Sequence, residues 1–239
     1  MNYAYYLVSF YSISYFSFAI LLWLSKAKQG LRLFDDCGFV ANPPMLILLH
    51  AGGIILFLFP LLFSHFNSFV LFSNNDFESP AAWVTIICFL LLLFISPKIA
   101  QKKYSKSAGN VLRGKLPGMK FIILYFIVRI LFICVYESWF RGYLLSDSTS
   151  SMGWVLAVLL NISLYAFLHI VNGKDEVIAC FPFGILLCCL CTWQGAVWPA
   201  IVLHLALTVP YEISLLRKMN PNKQQPYENF SNGSFGVSR

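Results

Sequence analysis

Charge is scarce in this chain: Asp, Glu, Lys and Arg make up only 11% of its 239 residues, while 59% are apolar. A water-soluble domain carries about a quarter charged residues, so this composition excludes an ordinary soluble fold. No HExxH zinc-protease sequence is present, and no period of 20 to 50 residues marks a repeat array. The first sixteen residues, MNYAYYLVSFYSISYF, lack a basic n-region and a small-residue cleavage site. They read as a retained first span rather than a signal peptide.

What is present is apolar length. Mean hydropathy is +0.71 and aromatic residues reach 17%. Stretches long enough to cross a bilayer occur near 4–24, 45–63, 81–96, 121–145, 153–171, 177–191 and 195–216. The expected fold class is all-α, a polytopic bundle of about seven transmembrane helices. Three regions are expected: N-terminal helices and a basic loop over 1–118, a core over 119–218, and a disordered tail over 219–239, which is rich in Asn, Gly, Ser and Pro.

The bases record topology. Fifteen of the 17 Lys and Arg fall in loops on one side of this alternation, and the opposite segments hold only Asp76, Glu78 and Asp147 as charges. Cytoplasmic loops keep Lys and Arg, which predicts the N-terminus outside and the C-terminus inside. The net charge of +7 therefore implies anionic headgroups at the basic segment 97–120, read as a surface loop, and no nucleic-acid partner. The seven cysteines, mostly in apolar stretches, read as packing residues.

Two bases remain in an apolar block, Arg129 and Arg141. An ionisable group in a span is a functional hypothesis by default. Glu137 and Arg141, in YESWFRG, are four apart and share a helix face. Tyr165 and His169 repeat that spacing, as do His204 and Thr208 after Trp198-Pro199. Each group has a plain reading: a neutralised ion pair, an interfacial histidine, a threonine bonded to its own backbone. Together, a carboxylate, a guanidinium and two imidazoles form a set able to activate water and stabilise an oxyanion. His50, beside Gly52 and Gly53, reads as a packing residue, and His65 as an outer-surface one.

Depth constrains this set. With the fourth span starting at Lys120, Glu137 would stand about 25 Å above the cytoplasmic side, out of reach of His169 at the end of a descending helix. The groups meet if Arg129 snorkels at the interface and 119–128 bends or lies along it. That leaves Glu137 and Arg141 as the acid and base read inside the bilayer.

The segment 120–212 resembles the CPBP intramembrane proteases, which include type II CAAX prenyl endopeptidases and the Abi bacteriocin-processing and immunity proteins. Their EExxxR motif, often continuing FRG, corresponds to YESWFRGYLL; FxxxH corresponds to Tyr165–His169; HxxxN or HxxxD corresponds to His204–Thr208 in GAVWPAIVLHLALT. The PFGILL segment at Pro182–Leu187 belongs to the same likeness. In register, Tyr136 stands at the first glutamate, Glu137 at the second, Tyr165 at the Phe and Thr208 at the Asn.

The resemblance implies an intramembrane endopeptidase acting on a membrane-associated peptide or protein, a CAAX-like tail or a leader peptide. Glu137 would activate a water also held by His169, and His204 and Thr208 would face the oxyanion. Tyr136, Tyr165 and Arg141 would support them. The retained Glu137, Arg141, His169 and His204 favour Glu137 as sole base over a scaffold that has lost hydrolysis. Two His and one Glu also form a zinc ligand set, although the resemblance suggests metal-free chemistry with no cofactor. A non-catalytic scaffold or immunity protein is the alternative, and a small transporter a further one. The expected location is an integral position in a bacterial plasma membrane.

Overall fold

The structure is a computed structural model that describes residues 3–26, 31, 33–35, 38–39, 42–63, 78–107 and 117–218. The described residues form eight α-helices, all but the fifth on apolar stretches: α1 (Tyr3–Lys26), α2 (Pro43–Phe63), α3 (Pro80–Ser107), α4 (Met119–Glu137), α5 (Leu145–Met152), α6 (Trp154–His169), α7 (Lys174–Gln194) and α8 (Trp198–Lys218). A π-helical segment, Ser138–Leu144, joins α4 to α5 without a break, and a 3-10 turn, Ile170–Asn172, ends α6. The only strands among the described residues are the two-residue β1 (Phe34–Asp35) and β2 (Gly38–Phe39), paired antiparallel. In lipid every backbone polar group must be satisfied within its own segment, which is why the chain is helical wherever it is apolar.

Six segments have the length and hydropathy of membrane crossings, and α1 adds an apolar stretch at Ser9–Ser25. The apolar surplus faces outward: Trp23, Ile55, Phe94, Met119 and Ile178 are all more than half exposed. Two sequence expectations change here. The basic segment 97–120 is not all loop, since α3 continues through Lys98, Lys102 and Lys103 to Ser107. The fourth crossing runs from Met119 to Met152, and 119–128 belongs to one regular helix with the rest of α4. Cys37, His65, residues 108–116 and the tail from 219 lie outside the described residues.

Among the buried clusters, an upper and a lower one share α2 and α4. The upper core gathers Tyr11, Tyr15 and Phe18 of α1, Phe57 of α2, Phe132 and Tyr136 of α4, Trp139 and Phe140 of the π segment, and Tyr165 of α6. The lower core joins Leu33 and Phe34, Leu46 of α2, Ala100 of α3, Tyr125 of α4 and Leu215 of α8. Gly53 permits the upper one, because a Cβ there would sit 2.5 Å from the Phe132 ring and 2.6 Å from Phe18.

Candidate active site

The YESWFRG sequence straddles the change from α-helix to π-helix. A π turn widens the helix by one residue and is found most often at functional sites. Its carbonyls need partners, and Phe140 has two: the Leu145 N–H donates from within the chain, and Asn161 Nδ2 of α6 donates from across the bundle at 2.6 Å. Asn161 is fully buried, and the Cys188 thiol lies against its oxygen at 3.5 Å. Around this segment, Trp139 stacks on Tyr15 at 6.1 Å and meets Phe57 at 5.1 Å. The Tyr15 hydroxyl in turn donates to the Leu164 carbonyl of α6 at 2.9 Å. Residues outside the motif segment thus form the wall that holds it.

Glu137 and Arg141 have no exposed side-chain surface, and Arg141 Nη1 lies 3.0 Å from Glu137 Oε2. This contact joins opposite charges without an aligned hydrogen bond. The guanidinium also lies over the Tyr165 ring, 4.4 Å from its centre, a cation–π arrangement that gains strength away from water. Gly184, inside the PFGILL segment, makes room: a Cβ there would stand 3.3 Å from Ile162, 3.6 Å from Tyr165 and 3.7 Å from the Arg141 guanidinium.

The other carboxylate oxygen belongs to α8. Glu137 Oε1 lies 2.5 Å from His204 Nδ1. A carboxylate only accepts, so Nδ1 donates. The His204 ring then presents its Nε2 edge away from Glu137, and its side chain retains 12% exposure against none for the glutamate. Phe183 packs edge-on against this ring at 5.9 Å, with Tyr136 at 6.3 Å and Tyr165 at 6.5 Å.

His169 joins one layer further out. Its ring lies 4.5 Å from that of Tyr165, and its Nδ1 donates to the Tyr165 carbonyl at 2.9 Å, which leaves Nε2 as the acceptor edge. Tyr136 and Tyr165 are buried side by side, ring centres 6.2 Å apart, and the Tyr136 hydroxyl has no hydrogen-bond partner among the described residues. Thr208 is half-buried one turn beyond His204 on α8. The structure therefore brings Glu137, Arg141 and His204 into direct contact and attaches His169 through Tyr165. Among the described residues no group of three His, Cys, Asp or Glu stands at metal-holding spacing, and the six described cysteines are free thiols.

The bend expected over 119–128 is not found, since α4 is one helix from Met119 to Glu137. About 27 Å of helix precedes Glu137 in α4 at 1.5 Å per residue, whereas α6 and its terminal turn end three residues past His169.

Arg129 is not a lone snorkelling residue. Its Nη1 donates to His50 Nε2 at 3.0 Å and to the Leu31 carbonyl at 3.3 Å, and its Nη2 lies 3.9 Å from Glu212 Oε1. The Tyr125 hydroxyl donates to the same Glu212 oxygen at 2.8 Å. His50 Nδ1 donates to the Leu46 carbonyl at 2.7 Å, which frees Nε2 to accept from Arg129. Reading the sequence missed this second polar centre. Glu212 is a further acid inside the bundle, 4% exposed, and His50 is an acceptor for Arg129 rather than a packing residue. The available signal was spacing: Tyr125, Arg129, Glu137 and Arg141 fall on one i+4 row, as do His204, Thr208 and Glu212.

Residues 117–209 match the model of a protein family described as type II CAAX prenyl endopeptidase Rce1-like. The match covers less than half of the chain, yet it includes Glu137, Arg141, His169, His204 and Thr208 and supports membership of the CPBP family. Comparisons with curated proteins and with solved structures find no match.

Proposed function

From this match to a family of membrane endopeptidases, we propose that the protein hydrolyses a peptide bond of a membrane-associated substrate, with water activated at the Glu137–His204 pair. The observation that carries the proposal is the 2.5 Å contact between Glu137 Oε1 and His204 Nδ1 inside a helix bundle. A buried carboxylate is costly in a membrane, and here it meets an imidazole whose side chain keeps 12% exposure.

The roles follow from accessibility. Both Glu137 oxygens are engaged, one by Arg141 and one by His204, and the side chain is wholly buried. The group that meets water is His204, with Glu137 orienting the ring and compensating the charge it gains. This revises the sequence-based role of Glu137 as the direct base while keeping the chemistry dependent on that glutamate. His204 Nε2 takes a proton from water as the oxygen attacks the carbonyl carbon of the scissile bond. His169 Nε2, an acceptor by the same tautomer argument, holds the second water hydrogen. The Thr208 and Tyr136 hydroxyls are the neutral donors available to the developing oxyanion. The tetrahedral intermediate then collapses, the C–N bond breaks, and the proton on His204 passes to the leaving amine. No metal enters this scheme.

The test is cleavage of a farnesylated CAAX peptide and of a membrane-anchored leader peptide by the purified protein in liposomes. His204→Ala should abolish turnover, and Glu137→Gln, which still accepts from Nδ1 but carries no charge, should leave a residue of it. Full loss in Glu137→Gln with substantial turnover in His204→Ala would return the base to Glu137. Loss of turnover with a chelator and recovery with zinc would replace the scheme by a metal-dependent one. Equal phenotype and no cleavage in all variants would favour a scaffold.

A further inference from the structure

The two polar centres are rungs of one seam. On α4, Tyr125, Arg129, Ile133 and Glu137 follow one another at intervals of four, with Arg141 four further on in the π segment; on α8, so do Ala200, His204, Thr208 and Glu212. Rows at i+4 are the ridges by which helices interlock. Glu137 meets His204 and Arg129 meets Glu212, so the helices run antiparallel and each carries its two polar groups eight residues apart. At 1.5 Å per residue the rungs stand about 12 Å apart on both helices. Each helix carries a base and an acid, in opposite order in space, so both rungs join opposite partners.

This pattern admits one alignment. Slipping α8 by four residues would set Glu137 against either Thr208 or Ala200 and leave Arg129 and Glu212 without each other. Slipping it by eight in one direction would bring Glu137 against Glu212. Either error buries an uncompensated charge, and buried polar pairs are best attested as devices that fix register. Packing alone specifies it less, since the residue between the rungs on α4 is Ile133, a plain apolar side chain that is 1% exposed. The lower rung is anchored to its surroundings: His50 ties Arg129 to α2, and Tyr125 ties Glu212 back to α4. Between the rungs, Ser96 of α3 donates to the Leu207 carbonyl of α8 at 2.5 Å.

We propose that Arg129 and Glu212 are positioning residues that set the axial register of α4 against α8 and thereby hold Glu137 opposite His204. The register is a structural claim; its consequence for turnover rests on the endopeptidase reading above. Glu212 lies beyond the segment that matches the family model and His50 precedes it, so the device draws on parts of the chain outside the motif region.

The experiment uses the full chain in liposomes with spin labels at Lys120 and Lys218, introduced as an encoded non-cysteine residue because of the native cysteines. These exposed positions lie at the start of α4 and the end of α8. In Arg129→Met and in the nearly isosteric Glu212→Gln, the label–label distance distribution should broaden or move by about 6 Å, the length of four helical residues. Cleavage of the farnesylated CAAX peptide should fall about 10- to 100-fold in kcat, the effect of a misplaced catalytic group, with KM within about threefold. Arg129→Lys, which keeps a cation on the row, should recover most of the rate. An unchanged distance in both variants, or a full cleavage rate in a variant whose distance has moved, would overturn the proposal. A shifted distance in a protein that cleaves none of the peptides would uphold the register and refute the endopeptidase reading.

Discussion

The upper and lower polar centres sit on the same two helices and are built from similar groups, an arginine, a glutamate and a histidine each, yet they are organised differently. In the upper centre the ion pair lies within one helical stretch, Glu137 to Arg141, and the histidine crosses to α8. In the lower one the ion pair itself crosses from α4 to α8, and the histidine and tyrosine serve it from the sides. The upper centre includes a π segment and a histidine whose side chain keeps some exposure; the lower lies in regular helix, its histidine fully buried. A charge held within one helix leaves its cross-helix partner available for chemistry. A charge shared between helices is committed to holding them together.

That contrast can be broken most forcefully at His204. His204→Ala should take kcat on the farnesylated peptide below detection, a loss of at least about 10³-fold, at a stability cost of about 1–3 kcal/mol for the buried Glu137 oxygen it leaves without a donor. A loss clearly above about 3 kcal/mol would make the upper centre as structural as the lower.

Next in size, Glu137→Leu should destabilise by about 3–5 kcal/mol, since it leaves Arg141 buried without its counter-charge. Glu137→Leu with Arg141→Leu should regain most of that stability while turnover stays absent, as read by thermal unfolding in detergent. If the double variant is no more stable than the single one, the pair is not a self-contained unit of the α4–π stretch.

Asn161→Ala should cost about 0.5–1.5 kcal/mol, the net worth of one hydrogen bond, because the Phe140 carbonyl keeps the Leu145 N–H. It should also reduce kcat through the π segment. Unaltered kcat and stability would show that the π turn needs no support from α6. The smallest effect is expected at Tyr136→Phe: its hydroxyl has no partner among the described residues, so stability should hold within about 0.5 kcal/mol and only the rate should fall, by a few-fold.

Much of the fold was legible in the sequence because lipid leaves the chain few choices. Seven apolar stretches became seven helical columns, and the boundaries moved chiefly where charged residues prolong a helix, as Lys98 to Lys103 do in α3. Glu137–Arg141 was legible because spacing within one helix is fixed by its pitch. The π segment was not, since hydropathy does not record which carbonyl an N–H selects. The Arg129 centre was hidden for another reason: its partners His50 and Glu212 belong to other helices, and their meeting depends on interhelical register. Glu212 also sits near the end of an apolar stretch, where a charge is easily assigned to the cytoplasmic face.

The central claim is that hydrolysis occurs at the Glu137–His204 pair, and the most direct measurement is kcat of Glu137→Gln and His204→Ala side by side on the farnesylated CAAX peptide in liposomes. The account predicts no detectable turnover in His204→Ala and a small but measurable rate in Glu137→Gln. Turnover in His204→Ala close to that of the unaltered protein would contradict it.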